Sequence, residues 1–375
     1  MFCDGYADTL ISVYNSALAF LGGLGTDPNE PIFGSHVPPY MEEENLKFLS
    51  ELMGYNLTAR DPRYRDYIDE YDESLIQSGD FLSITRLDGV DPIIMYGSGS
   101  HAGHSVMALR FDGELYIIES QDGWYWPNKG IQRNKWSDWK VWARNADFHV
   151  SHMPLSEEAR AKFNETAAQE FFWKTNGLPY GYHNFLFGWI DTAVDNWPPL
   201  LPPGFVPVLF SLIEDFSPNT TDIFITQALN KRLGTEGLNI KQVAGEAARR
   251  NKTMEDLLAM VEEDGWIYHG IEPRDGISYV CSAYVAAAYQ AAGIFTAGKI
   301  NGPEFTPRDV YTLDIFNKNF SKPAVCQQAD ADQPYCQILG KYRMIHPGYS
   351  SIKPYENMAE RCPSLAPEYI RPDGC

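Results

Sequence analysis

The sequence predicts an α+β protein in which an antiparallel sheet packs against a helix that carries a cysteine. Short runs of β-branched and aromatic residues between positions 81 and 120 are separated by glycine-containing turns, which is typical of antiparallel strands. An alanine-rich stretch at 279–293 places its larger side chains at helical spacing. The chain has 375 residues, 44% of them hydrophobic, and is therefore long and apolar enough to bury a core.

The first 77 residues are predicted to form a helical extension. An apolar segment from Leu10 to Leu24 has roughly helical spacing and ends in glycines. We expect it to pack on the protein, with peripheral contact to lipid as the alternative. A second helix is expected from Glu42 onwards, because acidic residues in a first turn interact favourably with the helix dipole.

The central domain is predicted to span residues 78–293 and to begin with strands. A strand is expected at 81–86, followed by a glycine-rich loop that ends at Gly103. Two further strands, at 104–110 and 114–120, are expected to form a hairpin, since Asp112-Gly113 between them is a strong turn signal. A fourth strand is expected from Val141 to Met153.

Helical segments fill the second half of this domain. Ser156 is expected to cap a helix that runs to Thr175. The following apolar stretch, 185–216, contains five prolines and therefore cannot be one helix. Short helices are predicted at 222–232, 240–250 and 253–264, so that residues 185–270 form an insertion before the cysteine helix. We expect the apolar stretch to join the protein's own core, or alternatively to form a lid over Cys281.

The last segment, 294–375, is predicted to be a loop-rich tail that packs on the domain and is pinned by disulfides. Cys326, Cys336, Cys362 and Cys375 lie within it, and pairing neighbours in sequence is the simplest of three connectivities. A zinc site is disfavoured because no Cys-x-x-Cys pair occurs. Disulfides indicate an oxidising compartment.

Glycosylation signals agree with an oxidising compartment. The acceptor pattern Asn-x-Ser/Thr occurs at Asn56, Asn164, Asn219, Asn251 and Asn319. We therefore expect a secreted, extracellular, or lysosomal or vacuolar luminal protein. The N-terminus shows no basic region of a signal peptide, and no uninterrupted apolar run of about 18 residues predicts a transmembrane helix.

The net charge of −20 limits the partners. It argues against binding to nucleic acid, whose phosphates require a basic surface, and against electrostatic docking on an anionic membrane. The sequence predicts neither a cofactor nor a metal site.

Cys281 is the candidate nucleophile. It falls in the first turn of the alanine-rich helix, which Asp275 or Ser278 could cap and which Gly293 could end. The helix dipole and unpaired N–H groups favour a thiolate at this position. The alternatives are a small apolar residue on a packed helix and a disulfide with Cys3.

His104 is the candidate base, because it opens an apolar strand whose hairpin partner carries Glu119 near its far end. A register that pairs Arg110 with Glu114 would place His104 beside residues 118–120. His101 is a rival base and Gln121 a rival for the residue that orients the imidazole. The alternative is a histidine at a strand end that hydrogen-bonds to backbone.

Four short motifs resemble those of the NlpC-type papain-like cysteine hydrolases. They are 177–180 (Gly-Leu-Pro-Tyr), 279–282 (Tyr-Val-Cys-Ser), Gly79-Asp80 before a strand, and the strands that carry His104 and Glu119. Because the histidine strand precedes the cysteine helix, the order is that of the circularly permuted branch, which includes YiiX-like amidases and, more distantly, lecithin retinol acyltransferase-like enzymes. The resemblance covers about residues 78–185 and 276–293.

This resemblance implies a permuted papain-like fold with Cys281 as nucleophile, His104 as base and Glu119 as the orienting group. Tyr180 would help to hold the oxyanion, with Tyr182 as a less favoured substitute. The implied activity is hydrolysis of an amide, in a peptide or a peptidoglycan stem, through an acyl-enzyme. An enzyme acting on acyl lipids and a non-catalytic binding or structural protein that keeps the fold are the alternatives.

Overall fold

A six-stranded antiparallel sheet forms the centre of the protein and confirms the α+β class. The computed structural model describes residues 36–121, 130–184, 205–258, 260, 267–269, 276–296, 300–356 and 358. The strand order is β4-β3-β2-β1-β5-β8, and a separate two-stranded sheet contains β6 and β7. The strands are β1 (Phe81–Thr85), β2 (His104–Phe111), β3 (Glu114–Gln121), β4 (Gly130–Lys135), β5 (His149–Met153), β6 (Ile267–Tyr268), β7 (Gly276–Ile277) and β8 (Cys336–Leu339).

Thirteen α-helices occur in the described chain. They are α1 (Pro39–Met53), α2 (Asp91–Ser98), α3 (Trp136–Asn145), α4 (Glu157–Lys162), α5 (Glu165–Thr175), α6 (Phe205–Phe216), α7 (Pro218–Thr221), α8 (Gln227–Leu233), α9 (Ile240–Arg249), α10 (Met254–Leu258), α11 (Cys281–Ala291), α12 (Pro307–Thr312) and α13 (Ala324–Ala329). Single turns of 3₁₀-helix lie at Pro62–Tyr64, Glu73–Leu75 and Gly302–Glu304, and a π-helical turn at Asp222–Thr226 precedes α8. Within the described ranges, every helix is too short or too polar to cross a lipid bilayer.

The central strands are buried on both faces, because their side chains point alternately into two separate hydrophobic cores. Phe81 and Met107 are paired across β1 and β2 and face the core that contains α11. Leu82 and Val106 are the next pair and face the opposite core, which contains Trp139 of α3. Each large apolar side chain buried in this way stabilises the fold by about 1.5–3 kcal/mol. The sheet is therefore held rigidly between two layers, and its strand ends are fixed in position.

Two local predictions in the first half of the domain are wrong. The strand expected within 141–153 is confined to β5, because Trp136, Trp139 and Ala143 have helical spacing and bury one face of α3. The loop expected between β1 and β2 contains α2. Pro92 lies in the first turn of that helix, where its fixed backbone angle favours helix.

The helix predicted from Ser156 to Thr175 is divided into α4 and α5. Ser156 caps α4 as predicted, since its hydroxyl accepts a hydrogen bond from the Ala159 N–H at 3.2 Å. Asn164 then starts a new helix, because its side-chain oxygen accepts from the Ala167 N–H at 3.1 Å. A side chain that satisfies a helix N-terminus in the middle of a helical pattern breaks it into two.

The insertion forms a helical unit with a core of its own. Helices are present at all three predicted places: a π-helical turn followed by Gln227–Leu233, then Ile240–Arg249 and Met254–Leu258. The third helix was predicted to reach residue 264, but residues 259 and 261–266 lie outside the described residues. Residues 185–204 of the apolar stretch lie outside the described residues, and the remainder forms α6. Val206 and Phe210 of α6 are buried in the insertion core, as expected for a core segment. Val208 and Phe216 are not, since they are 60% and 89% exposed.

The C-terminal segment contributes to the sheet and is less irregular than predicted. Strand β8 pairs with β5, and the predicted disulfide between Cys326 and Cys336 joins it to α13. Cys3, Cys362 and Cys375 lie outside the described residues. All five asparagines of the glycosylation pattern are exposed, as an acceptor site requires.

A buried ionic network joins β1, β5 and α4. Asp80 Oδ2 accepts a hydrogen bond from His152 Nε2 at 2.9 Å, and its Oδ1 pairs with Arg160 and with the Leu155 N–H. Tyr71 closes the network from the other side, with its hydroxyl 2.7 Å from His152 Nδ1. Burial alone would raise the pKa of Asp80, but His152 and Arg160 outweigh it and lower the pKa below its usual value.

Replacing Asp80 with asparagine should lower the free energy of unfolding at neutral pH by about 3–5 kcal/mol, because His152 and Arg160 lose their buried charge partner. The lowered pKa means that the carboxylate stabilises the fold fully above an ordinary aspartate pKa and loses this effect as the pH falls. Denaturant unfolding at several pH values should therefore show that the free energy of unfolding falls less in acid for Asp80→Asn than for the wild type. The exposed Asp112→Asn is the control; an equal effect of both substitutions would contradict the assignment.

Candidate active site

The cysteine helix, α11, begins at Cys281 and is anchored by a residue from a distant loop. Ser278 is not the cap, because Val280 is the N-cap residue and provides no side-chain hydrogen bond. Asp275 lies outside the described residues. Instead, the Val280 N–H donates to the Asn184 side-chain oxygen at 3.2 Å. Gly293 follows the helix with φ +84°, as predicted for its end. The backbone before Cys281 is thus fixed by tertiary contacts.

The turn at 180–184 docks directly on the backbone that leads into this helix. Tyr180 forms a parallel bridge with Tyr279, and the Gly181 N–H donates to the Tyr279 carbonyl at 3.0 Å. The Ser120 hydroxyl donates to the same carbonyl at 2.6 Å. A Cβ atom at Gly181 would lie 2.6 Å from Asn184 Oδ1 and 2.7 Å from the Tyr279 carbonyl carbon, so only glycine permits this approach.

His104 and Glu119 meet at the ends of two paired strands. The register differs by one residue from the prediction, since Arg110 pairs with Leu115 and Phe111 with Glu114. His104 and Glu119 both lie beyond the last pair of this register, which is Met107 with Ile118. His104 Nε2 lies 3.0 Å from Glu119 Oε2, and both side chains are buried.

The carboxylate of Glu119 determines how the imidazole is oriented. An ionised carboxylate only accepts hydrogen bonds, so His104 Nε2 carries the proton. The second carboxylate oxygen accepts from Asn134 Nδ2 at 3.1 Å, which holds Glu119 in place from β4. Nδ1 is then the ring nitrogen left for a second partner.

That second partner is Cys281, which is a free, buried thiol. His104 forms a side-chain hydrogen bond with Cys281. Burial alone would lower the pKa of His104, but its charge interaction and hydrogen bond with Cys281, together with those with Glu119, raise the pKa to about 10. Cys281, His104 and Glu119 therefore form one hydrogen-bonded chain from the sheet to the first turn of the helix.

The rival residues have other positions. His101 Nδ1 bonds to the Ile345 carbonyl at 2.9 Å, and its ring stacks on Tyr55, so it is committed elsewhere. Gln121 is not bonded to His104. Tyr180 is buried in the core that contains α11, and the ring of Tyr182 packs against it at 5.0 Å between centroids.

Two residues of the site were not predicted from the sequence. Asn184 anchors Val280, and Asn134 supports Glu119 from β4, a strand whose polar sequence, Gly130–Lys135, gave no strand signal. The Gly-Tyr-His-Asn run after Tyr180 was a usable signal for a turn at this place, because glycine and asparagine are frequent turn residues.

The described residues contain no group of histidine, cysteine and acidic side chains able to hold a metal ion. No protein-family model matches the chain, and no curated protein and no solved structure matches it.

Removing the thiol should lower the pKa of His104, because Cys281 provides a large part of the interactions that raise it. In the wild-type protein the imidazole should remain protonated through neutral pH and titrate near pH 10. In Cys281→Ala the midpoint should shift down by at least about one unit. NMR titration of ¹³C-labelled histidine, with the signal assigned from His104→Gln, measures both midpoints. Identical midpoints in the two proteins would show that the thiol does not interact with His104.

Proposed function

We propose that the protein is a cysteine hydrolase that cleaves an amide or an ester through an acyl-enzyme. The single observation that carries this proposal is the hydrogen-bonded chain Cys281–His104–Glu119, which has a thiol at a helix N-terminus, an imidazole and an orienting carboxylate in order. Nucleophile, base and orienting group are the three parts that thiol hydrolysis requires.

The reaction would proceed in two stages. His104 Nδ1 already holds the proton of the Cys281 thiol before the substrate binds, and Cys281 Sγ forms a bond to the substrate carbonyl carbon, which places the negative charge on the carbonyl oxygen. The C–N or C–O bond then breaks, and the imidazolium gives its proton to the leaving group. In the second stage His104 removes a proton from water, the hydroxide attacks the thioester, and Cys281 leaves as the thiolate. Tyr180 and the Cys281 N–H would stabilise the oxyanion.

The order of the elements supports the permuted papain-like fold that the motifs suggest. The strand with His104 comes first, the strand with Glu119 second, the Tyr180 turn third and the cysteine helix last. The turn and the helix are joined by the bridge between Tyr180 and Tyr279. We propose this permuted arrangement as the evolutionary origin of the site.

One observation favours the acyl-lipid alternative as a second candidate. Helix α6 exposes large apolar side chains at positions that share one helical face, namely Val208, Leu209, Leu212, Ile213 and Phe216. Such a face is typical of segments that contact lipid or another protein. It would bring an enzyme to acyl substrates, whereas an amide hydrolase would not need it.

We also propose a compartment of the secretory route, either extracellular or luminal. The Cys326–Cys336 disulfide requires an oxidising environment to persist, and five exposed asparagines carry the glycosylation pattern.

The proposal predicts that a reactive ester will acylate one residue, Cys281. Wild-type protein incubated with 4-nitrophenyl acetate should show a burst of nitrophenol and a single acetyl group on Cys281 by peptide mass mapping. Cys281→Ser should lose the burst, and His104→Gln should slow it about 10²–10⁴-fold through the loss of base catalysis. His101→Gln, the same change at a histidine outside the site, should have no effect. Equal nitrophenol release by wild-type and Cys281→Ala protein would favour the non-catalytic alternative.

A further inference from the structure

Two buried histidines hold the segment that follows β8, residues 340–346, against the central sheet. His149 of β5 packs near the start of this segment, where its ring stacks on Tyr342 with 5.6 Å between the ring centroids. His346 is the last residue of the segment, and its Nε2 lies 2.7 Å from the Ser83 hydroxyl of β1. The two histidines are 3% and 4% exposed. The segment therefore rests on one buried imidazole near its start and carries another at its end.

Each of these rings has one paired nitrogen and one buried nitrogen that has no partner. His149 Nδ1 donates to the Thr85 carbonyl at 3.1 Å, because a carbonyl oxygen only accepts, and Nε2 lacks a partner among the described residues. In His346 the Ser83 hydroxyl pairs with Nε2, and Nδ1 lacks a partner among the same residues. A protonated imidazole carries an N–H on both nitrogens, so protonation would bury a charged, unpaired donor in each ring. The closed segment therefore requires both histidines to be neutral.

The charged groups around the two rings do not reverse this preference. Three of them interact with His149, namely Glu42, Asp147 and Arg60. Burial lowers the pKa of His149 to about 4, although the two carboxylates favour its charged form. The rings of Tyr311 and Tyr335 flank His346, with centroids 4.9 and 4.8 Å away. Burial lowers the pKa of His346 well below its usual value, and the neighbouring His101 adds to the effect. Both rings are therefore neutral at neutral pH.

Both histidine contacts end on β1 beside the residue that pairs with the candidate base. In the sheet register, Ile84 of β1 pairs with His104 of β2. Ser83, which bonds to one histidine, and Thr85, which bonds to the other, are the two sequence neighbours of Ile84. Loss of these contacts would therefore remove support from the stretch of β1 that aligns the strand end with His104.

We propose that residues 340–346 are an acid-sensitive clamp on the candidate active site, which opens when His149 and His346 are protonated. The effect on activity rests on the proposed hydrolase function and adds its regulation, whereas the opening itself does not depend on that function. In the open state both imidazoles regain water and an ordinary pKa of about 6.5, so the open state binds protons first as the pH falls. The clamp is therefore closed at neutral pH and opens in an acidic compartment.

Hydrogen–deuterium exchange, corrected for the pH dependence of the intrinsic rate, measures the opening. The N–H groups of residues 343–346 all donate hydrogen bonds in the closed segment. Between neutral pH and about pH 4.5, two histidines can favour opening by up to about 10⁴-fold. Protection of residues 343–346 in the wild type should fall at least about hundredfold over this range, while β2 stays protected.

A variant that cannot be charged identifies the groups responsible. His149→Asn/His346→Gln keeps an amide at each paired ring nitrogen and should retain its neutral-pH protection at about pH 4.5. The carboxylates that pair with Lys341 and Arg343 remain in this variant, namely Glu42, Asp330 and Asp332. Opening caused by their protonation would therefore persist in it. His36→Gln changes a histidine that is 72% exposed and should open as the wild type does.

The burst of nitrophenol from 4-nitrophenyl acetate links the clamp to the site. The burst rate of the double variant relative to the wild type should rise at least about tenfold from neutral pH to about pH 4.5. If the wild type gives no burst at any pH but its segment opens in acid, the hydrolase proposal fails and the clamp remains. Equal protection of residues 343–346 at both pH values, equal opening of wild type and double variant, or loss of β2 protection together with the segment overturns the inference. An unchanged ratio of burst rates overturns the link to the site.

Discussion

The hydrogen bond between Cys281 and His104 is the contact on which the arrangement of this protein depends. Both side chains are buried, and in a medium of low polarity a separated charge on either would be costly. Each therefore requires a partner, and His104 obtains two, since Glu119 holds its other nitrogen. Partners on both ring nitrogens fix the orientation of the His104 imidazole and stabilise its charge.

Several distant segments cooperate to make that contact. The sheet is buried on both faces and fixes the strand ends that carry His104 and Glu119. The cysteine helix reaches the same point because Tyr279 and Val280 are held by the turn at 180–184 and by Ser120. Gly181 permits this approach. The insertion between 184 and the helix has a separate core, which explains how a long segment can interrupt the site without disturbing it.

The sequence predicted those parts of the fold that local patterns determine. The Asp112-Gly113 turn predicted the hairpin, and the alanine spacing predicted the cysteine helix. The predicted hairpin correctly brought His104 and Glu119 close together. The predicted register was wrong by one residue, because a turn signal indicates that a turn is present more reliably than it indicates which residues pair across it. Helix α3 was missed because its tryptophans suit strands as well as helices.

The remaining features depend on contacts between segments far apart in sequence. Asn184 and Asn134 are polar residues with no local pattern, and their roles arise only when β4 and the 180–184 turn are placed. The cysteine helix has no side-chain cap for the same reason. Asn184, which is distant in sequence, accepts a hydrogen bond from the Val280 N–H at the start of the helix in place of a local capping residue. Gln121 does not orient the imidazole, because Glu119 holds the Nε2 side of the His104 ring.

The pH dependence of Cys281 alkylation tests the central claim most directly. At about pH 6 an ordinary thiol, with a pKa near 8.5, is almost wholly protonated and reacts slowly with iodoacetamide. If His104 accepts the proton of Cys281, the wild-type thiol should be alkylated at this pH, and His104→Gln should slow the reaction at least about tenfold while leaving the rate at high pH similar. Identical rates for wild type and His104→Gln at about pH 6 would contradict the pairing of nucleophile and base on which the account rests.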